Sequence, residues 1–111
     1  MEIKETEKLC IITPLSNKLN KRESNRLFEA IQSEIKGTAL DLSYVEECTI
    51  DFIEGLKEVC KIKQVGIFNI PSDIFVLFNI MNLDKLASLY VSELDFEEDV
   101  RRLINRKFSI V

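Results

Sequence analysis

Apolar residues along this chain fall into two alternating rhythms: short continuous runs, and stretches that repeat every three or four positions. Residues 8–15 form a compact β-branched run that Pro14 closes, which reads as a buried strand. Residues 1–6 read as a short edge strand before it. Asn20 with Glu23 three positions on has the form of a capping box, and Leu27, Phe28, Ile31 and Ile35 follow at helical spacing. That predicts a helix over 21–36, with Gly37 at its C-terminal cap. Residues 38–45 read as the next strand, and Ile50, Ile53, Leu56 and Val59 then mark a second helix. Residues 65–70 are a third buried run. Pro71, Ser72 and Asp73 open a third helix, with Ile74, Leu77 and Met81 as its apolar stripe. Residues 86–91 read as a last strand. Asp95 reads as the cap of a fourth helix, whose face is Phe96, Val100, Leu103 and Ile104.

Strands that alternate with helices predict an α/β fold with a mostly parallel central sheet. Four strands, a short N-terminal edge strand and about four helices are expected. The 111 residues suit one domain spanning 1–111, and an apolar share of 46% is enough for a core.

Composition then removes several kinds of chemistry. There is no histidine, which excludes Ser-His-Asp and Cys-His catalysis and imidazole metal sites. The three glycines form neither a dinucleotide fingerprint nor a phosphate loop. Cys10, Cys48 and Cys60 are too scattered for a zinc pattern and read as reduced core residues. The acidic clusters read as solvated charge, and Asp41 as a structural hydrogen-bonding residue in its strand. No enzyme, metal or cofactor is expected. A net charge of −4 argues against nucleic acid as a partner. Residues 1–8 are charged throughout, unlike a signal peptide, and the longest apolar stretch, 65–81, is broken by polar residues. A cytoplasmic chain without membrane insertion is the expectation.

Several segments, in order, carry a resemblance. Leu15-Ser16-Asn17-Lys18-Leu19-Asn20 resembles an L-S-G-R-L-D turn, and Ala39-Leu40-Asp41-Leu42-Ser43-Tyr44-Val45 a V-L-D-L-S-x-V strand. Ile67-Phe68-Asn69-Ile70-Pro71-Ser72 resembles a strand ending in N-x-P-x. Residues 80–86 resemble L-T-G-L-D-x-L, and 92–100 a charged turn before a last helix. Together they resemble the STAS domains, named for sulfate transporters and anti-sigma factor antagonists, over almost the whole chain.

The resemblance implies a non-enzymatic protein-binding switch. In that family a serine at the start of helix 2, within I-D-S-[SA]-G-L, is phosphorylated by a kinase-type anti-sigma factor. Aligned without a gap, this chain has Thr49 at the Asp, Ile50 at the Ser, Asp51 at the next small residue and Phe52 at the Gly. Shifting the register to place Gly55 on the family Gly puts Ile53 at the Ser instead, so neither alignment restores a hydroxyl. The phosphoacceptor is therefore degenerate. Thr49 reads as a helix N-cap, with a displaced phosphoacceptor as the alternative. Asp51 reads as a first-turn acid or as a fixed negative charge in place of phosphate.

The expected partner-binding face joins Asn17, Lys18 and Asn20 to Thr49, Ile50, Asp51 and Phe52, with Phe52 as its apolar anchor. The implied partner is an anti-sigma factor kinase. The alternatives are the ATPase of a lipid-transport ABC system, bound by this chain as an accessory subunit, or a stressosome-like scaffold that is not phosphorylated. If Phe52 lies in the core instead, the expected anchors move to Phe75 and Phe78 on the third helix.

Overall fold

The computed structural model describes residues 1–99. In chain order the elements are β1 (Glu2–Glu5), β2 (Leu9–Thr13), β3 (Lys18–Leu19), α1 (Asn25–Ser33), β4 (Gly37–Asp41) and β5 (Glu47–Cys48). Then follow α2 (Ile50–Ile62), β6 (Val65–Phe68), α3 (Ser72–Ile80), a 3-10 turn at Leu83–Lys85 and β7 (Ser88–Leu89). Residues 93–99 are helical. The expected positions Val100, Leu103 and Ile104 of the fourth helix lie outside the described residues.

Five strands form one sheet in the order β1-β2-β4-β6-β7. β1 runs antiparallel to β2, and every other pair is parallel. This is the α/β architecture that the alternation implied. Successive parallel strands step in one direction across the sheet, so crossovers of one hand put their helices on one face. Accordingly, Leu27 and Ile31 of α1, Phe52, Ile53, Leu56 and Val59 of α2, and Ile74 and Phe78 of α3 share a core with Cys10, Ile12, Leu40 and Ile67 of the strands. The strand residues one position out of phase face the other way. There Ala39 and Phe68 pack with Phe96 of the 93–99 helix, flanked by Leu9, Ile11 and Tyr90.

Several boundaries differ from the pattern-based ones. α1 is shorter at both ends. The Asn20 side chain does accept the Glu23 N–H at 2.9 Å, but it caps a separate turn at 21–23, and Ser24 occupies the N-cap position of the helix. α1 stops at Ser33, where the Lys63 ammonium donates to the carbonyls of Ile31, at 2.9 Å, and Glu34. That distant cation supplies what a C-terminal glycine would have, and Gly37 starts β4 instead. In the last helix the Asp95 N–H donates to the Ser92 hydroxyl at 3.2 Å, so Ser92 is the cap and Asp95 a first-turn acid. On α3 the buried pair is Ile74 and Phe78. Leu77 and Met81 are only partly buried, and Val76 and Ile80 are exposed.

Candidate protein-binding site

The two segments expected to form the site are far apart in sequence, and a two-stranded parallel ladder joins them. Lys18 pairs with Glu47, and Leu19 with Cys48. The Asn17 carbonyl accepts the N–H groups of Glu46 and Glu47 at 2.7 and 3.0 Å, and the Leu19 carbonyl accepts the Thr49 N–H at 2.9 Å. Leu19 is buried beneath this clasp and anchors it to the core. Above it, Lys18 and Glu47 make an exposed ion pair at 3.8 Å, which adds little stability of its own.

The start of α2 is held by Thr49. Its hydroxyl accepts the Phe52 N–H at 3.3 Å, which satisfies one of the free donors of the first turn. The same hydroxyl donates to the Asp51 carboxylate. That bond holds the Asp51 carboxyl below its ordinary range, helped by the Phe52 and Lys21 backbone N–H groups and the Lys21 charge. A hydroxyl has one proton. Here it serves the exposed carboxylate, and the lone pair serves the helix.

Of the expected site residues, Asn17, Lys18, Thr49, Ile50 and Asp51 are brought together by the clasp. Asn20 is half-buried, and its side-chain oxygen is committed to Glu23. Phe52 is a correction. It is fully buried, and its ring stacks on Phe28 of α1 with centroids 5.5 Å apart. One turn on, a Cβ on Gly55 would stand 2.9 Å from the Phe28 ring, so Gly55 is the position that lets the two helices close over this stack. Position 52 is the third residue of α2 and points inward, whereas position 50 points out. Ile50 is 61% exposed and is the large apolar side chain at the head of the helix. The fallback anchors do not serve either, because Phe78 is fully buried and Phe75 packs against the core.

Two further exposed apolar groups leave the carboxyl ends of neighbouring strands: Leu15 after β2 and Tyr44 after β4. Tyr44 sits in a turn closed by the Val45 N–H donating to the Leu42 carbonyl at 3.0 Å. Sequence reasoning missed it because it lies inside a run that reads as continuous strand. Beside the Asn17 turn, an open groove of about 490 Å³ has Pro14, Leu15, Leu19 and Leu27 among its walls, with Glu23 and Arg26 at the rim. Cys48 is half-buried in the clasp, and burial, with Asp73 adding to it, pushes its thiol up to about 12.

Among the described residues, one group of metal-ligating types comes together: Glu5, Cys10 and Glu34. It lies at the opposite end of the sheet, where the Lys36 ammonium is 3.7 Å from Glu5 and donates to the Thr6 carbonyl at 3.0 Å. Burial, with Glu34 adding to it, pushes the Cys10 thiol up from its ordinary value. The group is thus an ion-paired cluster around a protein cation, with a neutral thiol as its third member.

This strand order, with three helices on one face of the sheet, is a fold with a solved counterpart. It is similar over 90% of this chain and 93% of the other to the crystal structure of a candidate anti-sigma factor antagonist from Thermotoga maritima. The TM-score is 0.73 at 20% sequence identity. No protein-family model matches the chain, and no curated protein matches it significantly. Among the described residues no helix is long and apolar enough to cross a membrane.

Proposed function

We propose that this chain is a non-enzymatic protein-binding regulator that acts in the manner of an anti-sigma factor antagonist, through a face that needs no phosphorylation. The observation that carries the reading is the clasp. It fuses the Asn17-Lys18 turn and the head of α2 into one exposed surface, with Ile50 as an apolar anchor. An apolar group ringed by polar ones is what a protein hot spot requires. Lys18, Glu46, Glu47 and Asp51 supply a rim of both signs, which favours a protein partner over a polyanion.

Aligned without a gap on the resembling motif, the phosphorylatable hydroxyl falls on Ile50, and Thr49, the nearest hydroxyl, is engaged as a helix cap. Phosphorylating Thr49 would forfeit that cap and set a dianion against Asp51. The chain would therefore bind its partner constitutively, with its abundance as the control.

The test is capture on the tagged chain from its native cell, followed by reconstitution with each purified candidate. A sigma-regulating kinase that binds the native chain, fails with Ile50→Asp and leaves no phosphate on it in the presence of ATP supports the proposal. Binding only to a transporter ATPase, self-assembly alone, or stoichiometric phosphate on Thr49 overturns it.

A further inference from the structure

Asn69 stands in the left-handed backbone region, with φ at 55°. A non-glycine residue there is uncommon, and asparagine tolerates it best. It follows β6, in the layer where the sheet opens toward the candidate site. Both ends of its side chain are used. The amide Nδ2 donates to the Asp41 carboxylate oxygen Oδ1 at 3.1 Å, and the amide Oδ1 accepts the Glu93 N–H at 3.1 Å. The same Asp41 oxygen accepts the Ser43 N–H at 3.0 Å. Asp41 ends β4, and the chain from Leu42 to Thr49 carries Tyr44 and the clasp. Glu93 begins the helix on the opposite face of the sheet.

We infer that Asn69 is the positioning residue of the candidate binding face: a crossbar whose amide sets the exit of the 42–49 segment from β4 and ties it to the head of the 93–99 helix. The left-handed backbone is what aims the amide. In an extended conformation the side chain after Phe68 would follow the strand alternation and could not lie in the plane between the β4 and helix termini. The Leu42 N–H donating to the Phe68 carbonyl at 3.1 Å brings the two strand ends close enough for one short side chain to reach both partners. A carboxylate facing an amide donor is among the stronger hydrogen bonds, and here one oxygen serves two donors. Anything that displaces the helix head is then felt at Ser43, and the reverse. The functional weight of this depends on the proposed binding face, but the geometry does not, so it is tested without a partner.

The experiment is amide hydrogen exchange on the full chain, read at Ser43 and Glu93. Asn69→Gly keeps the left-handed backbone at little cost and deletes the amide. The Glu93 N–H, which loses its neutral amide acceptor, and the Ser43 N–H, whose carboxylate acceptor loses its tie to Asn69, should then each exchange about tenfold faster, the size of one hydrogen bond. Asn69→Asp sets two carboxylates against each other and should lose more at Ser43. The double exchange Asp41→Asn with Asn69→Asp returns a donor and an acceptor to the contact in reversed positions. The carboxylate at 69 still accepts the Glu93 N–H, but the amide NH2 at 41 now faces position 69 in place of the oxygen that accepted the Ser43 N–H. It should recover protection at Glu93 relative to Asn69→Asp and leave Ser43 exchanging fast. Unchanged exchange in Asn69→Gly, loss at one of its two amides only, or a double variant no better than Asn69→Asp at Glu93 would each overturn the crossbar. If Asn69→Asp fails to fold, the comparison of Asn69→Gly with the double variant decides alone. Faster exchange at both amides with partner binding unchanged would instead count against the binding face and leave the crossbar standing.

Discussion

Truncating Phe52 to alanine distinguishes a core residue from a surface anchor. The ring is fully buried, stacked on Phe28 and covered where Gly55 lets α1 approach. Removing it forfeits roughly 2–3 kcal/mol of apolar transfer. It also leaves a hole that Phe28 fills only in part, since that ring is held by its own helix. Together the loss should be about 3–5 kcal/mol, the usual cost of a buried Phe→Ala change. A chain of this size has a urea m-value of about 1.5 kcal/mol per molar, so the midpoint should fall by about 2–3 M. The control is Ile50→Ala, two positions earlier on the solvent side, where the change should stay within about 0.5 kcal/mol. Equilibrium urea unfolding followed by far-ultraviolet circular dichroism measures both variants. A Phe52→Ala loss under about 1 kcal/mol at unchanged m-value would refute the inward placement of position 52. It would also restore Phe52 as a surface group.

Thr49→Ala should cost about 1 kcal/mol through the lost cap at the head of α2, and Thr49→Asp should recover most of it, measured by the same unfolding curves. The Asp51 carboxyl is held below its unfolded value, so its contribution is present above about pH 4 and is lost as pH falls through the lower folded value. Acid unfolding of Asp51→Asn should accordingly show a shallower fall over that interval than the native chain. Burial raises the thiols of Cys48 to about 12 and Cys60 to about 11 from an ordinary value of 9.0. Their contribution is therefore complete below pH 9 and declines as pH rises through those values, and iodoacetamide at pH 8 should label the native chain slowly and the urea-unfolded chain fast. Rapid labelling of native Cys48 would show that the clasp opens.

Much of this was legible in the linear pattern because strands and helices announce themselves by local period. The runs at Leu9–Thr13 and Val65–Phe68 and the helical spacing from Ile50 onward each report which face is buried. The cap at Thr49 was legible for the same reason, as a residue type in a fixed place before a helix. Helix ends were less so. α1 stops at Ser33 because a lysine thirty positions away caps it, and no local signal reports such a partner.

The order of apolar runs and helical stretches along the chain thus determined a mostly parallel α/β sheet with a short N-terminal edge strand, and the absence of histidine and of glycine loops narrowed its chemistry; that the edge strand pairs antiparallel was decided by the tertiary structure. Which apolar residue reaches the surface was decided only in three dimensions. Ile50 and Phe52 are both apolar and two positions apart, and a helix turns about 100° per residue. One of them had to point away from the core, and the choice fell to where α1 lies. Phe28 meets α2 on the side of Phe52 and Gly55, which leaves Ile50 to solvent. The clasp between Lys18-Leu19 and Glu47-Cys48 is likewise two residues on each side, too short to carry a period, and exists only because the sheet brings the exits of β2 and β4 side by side.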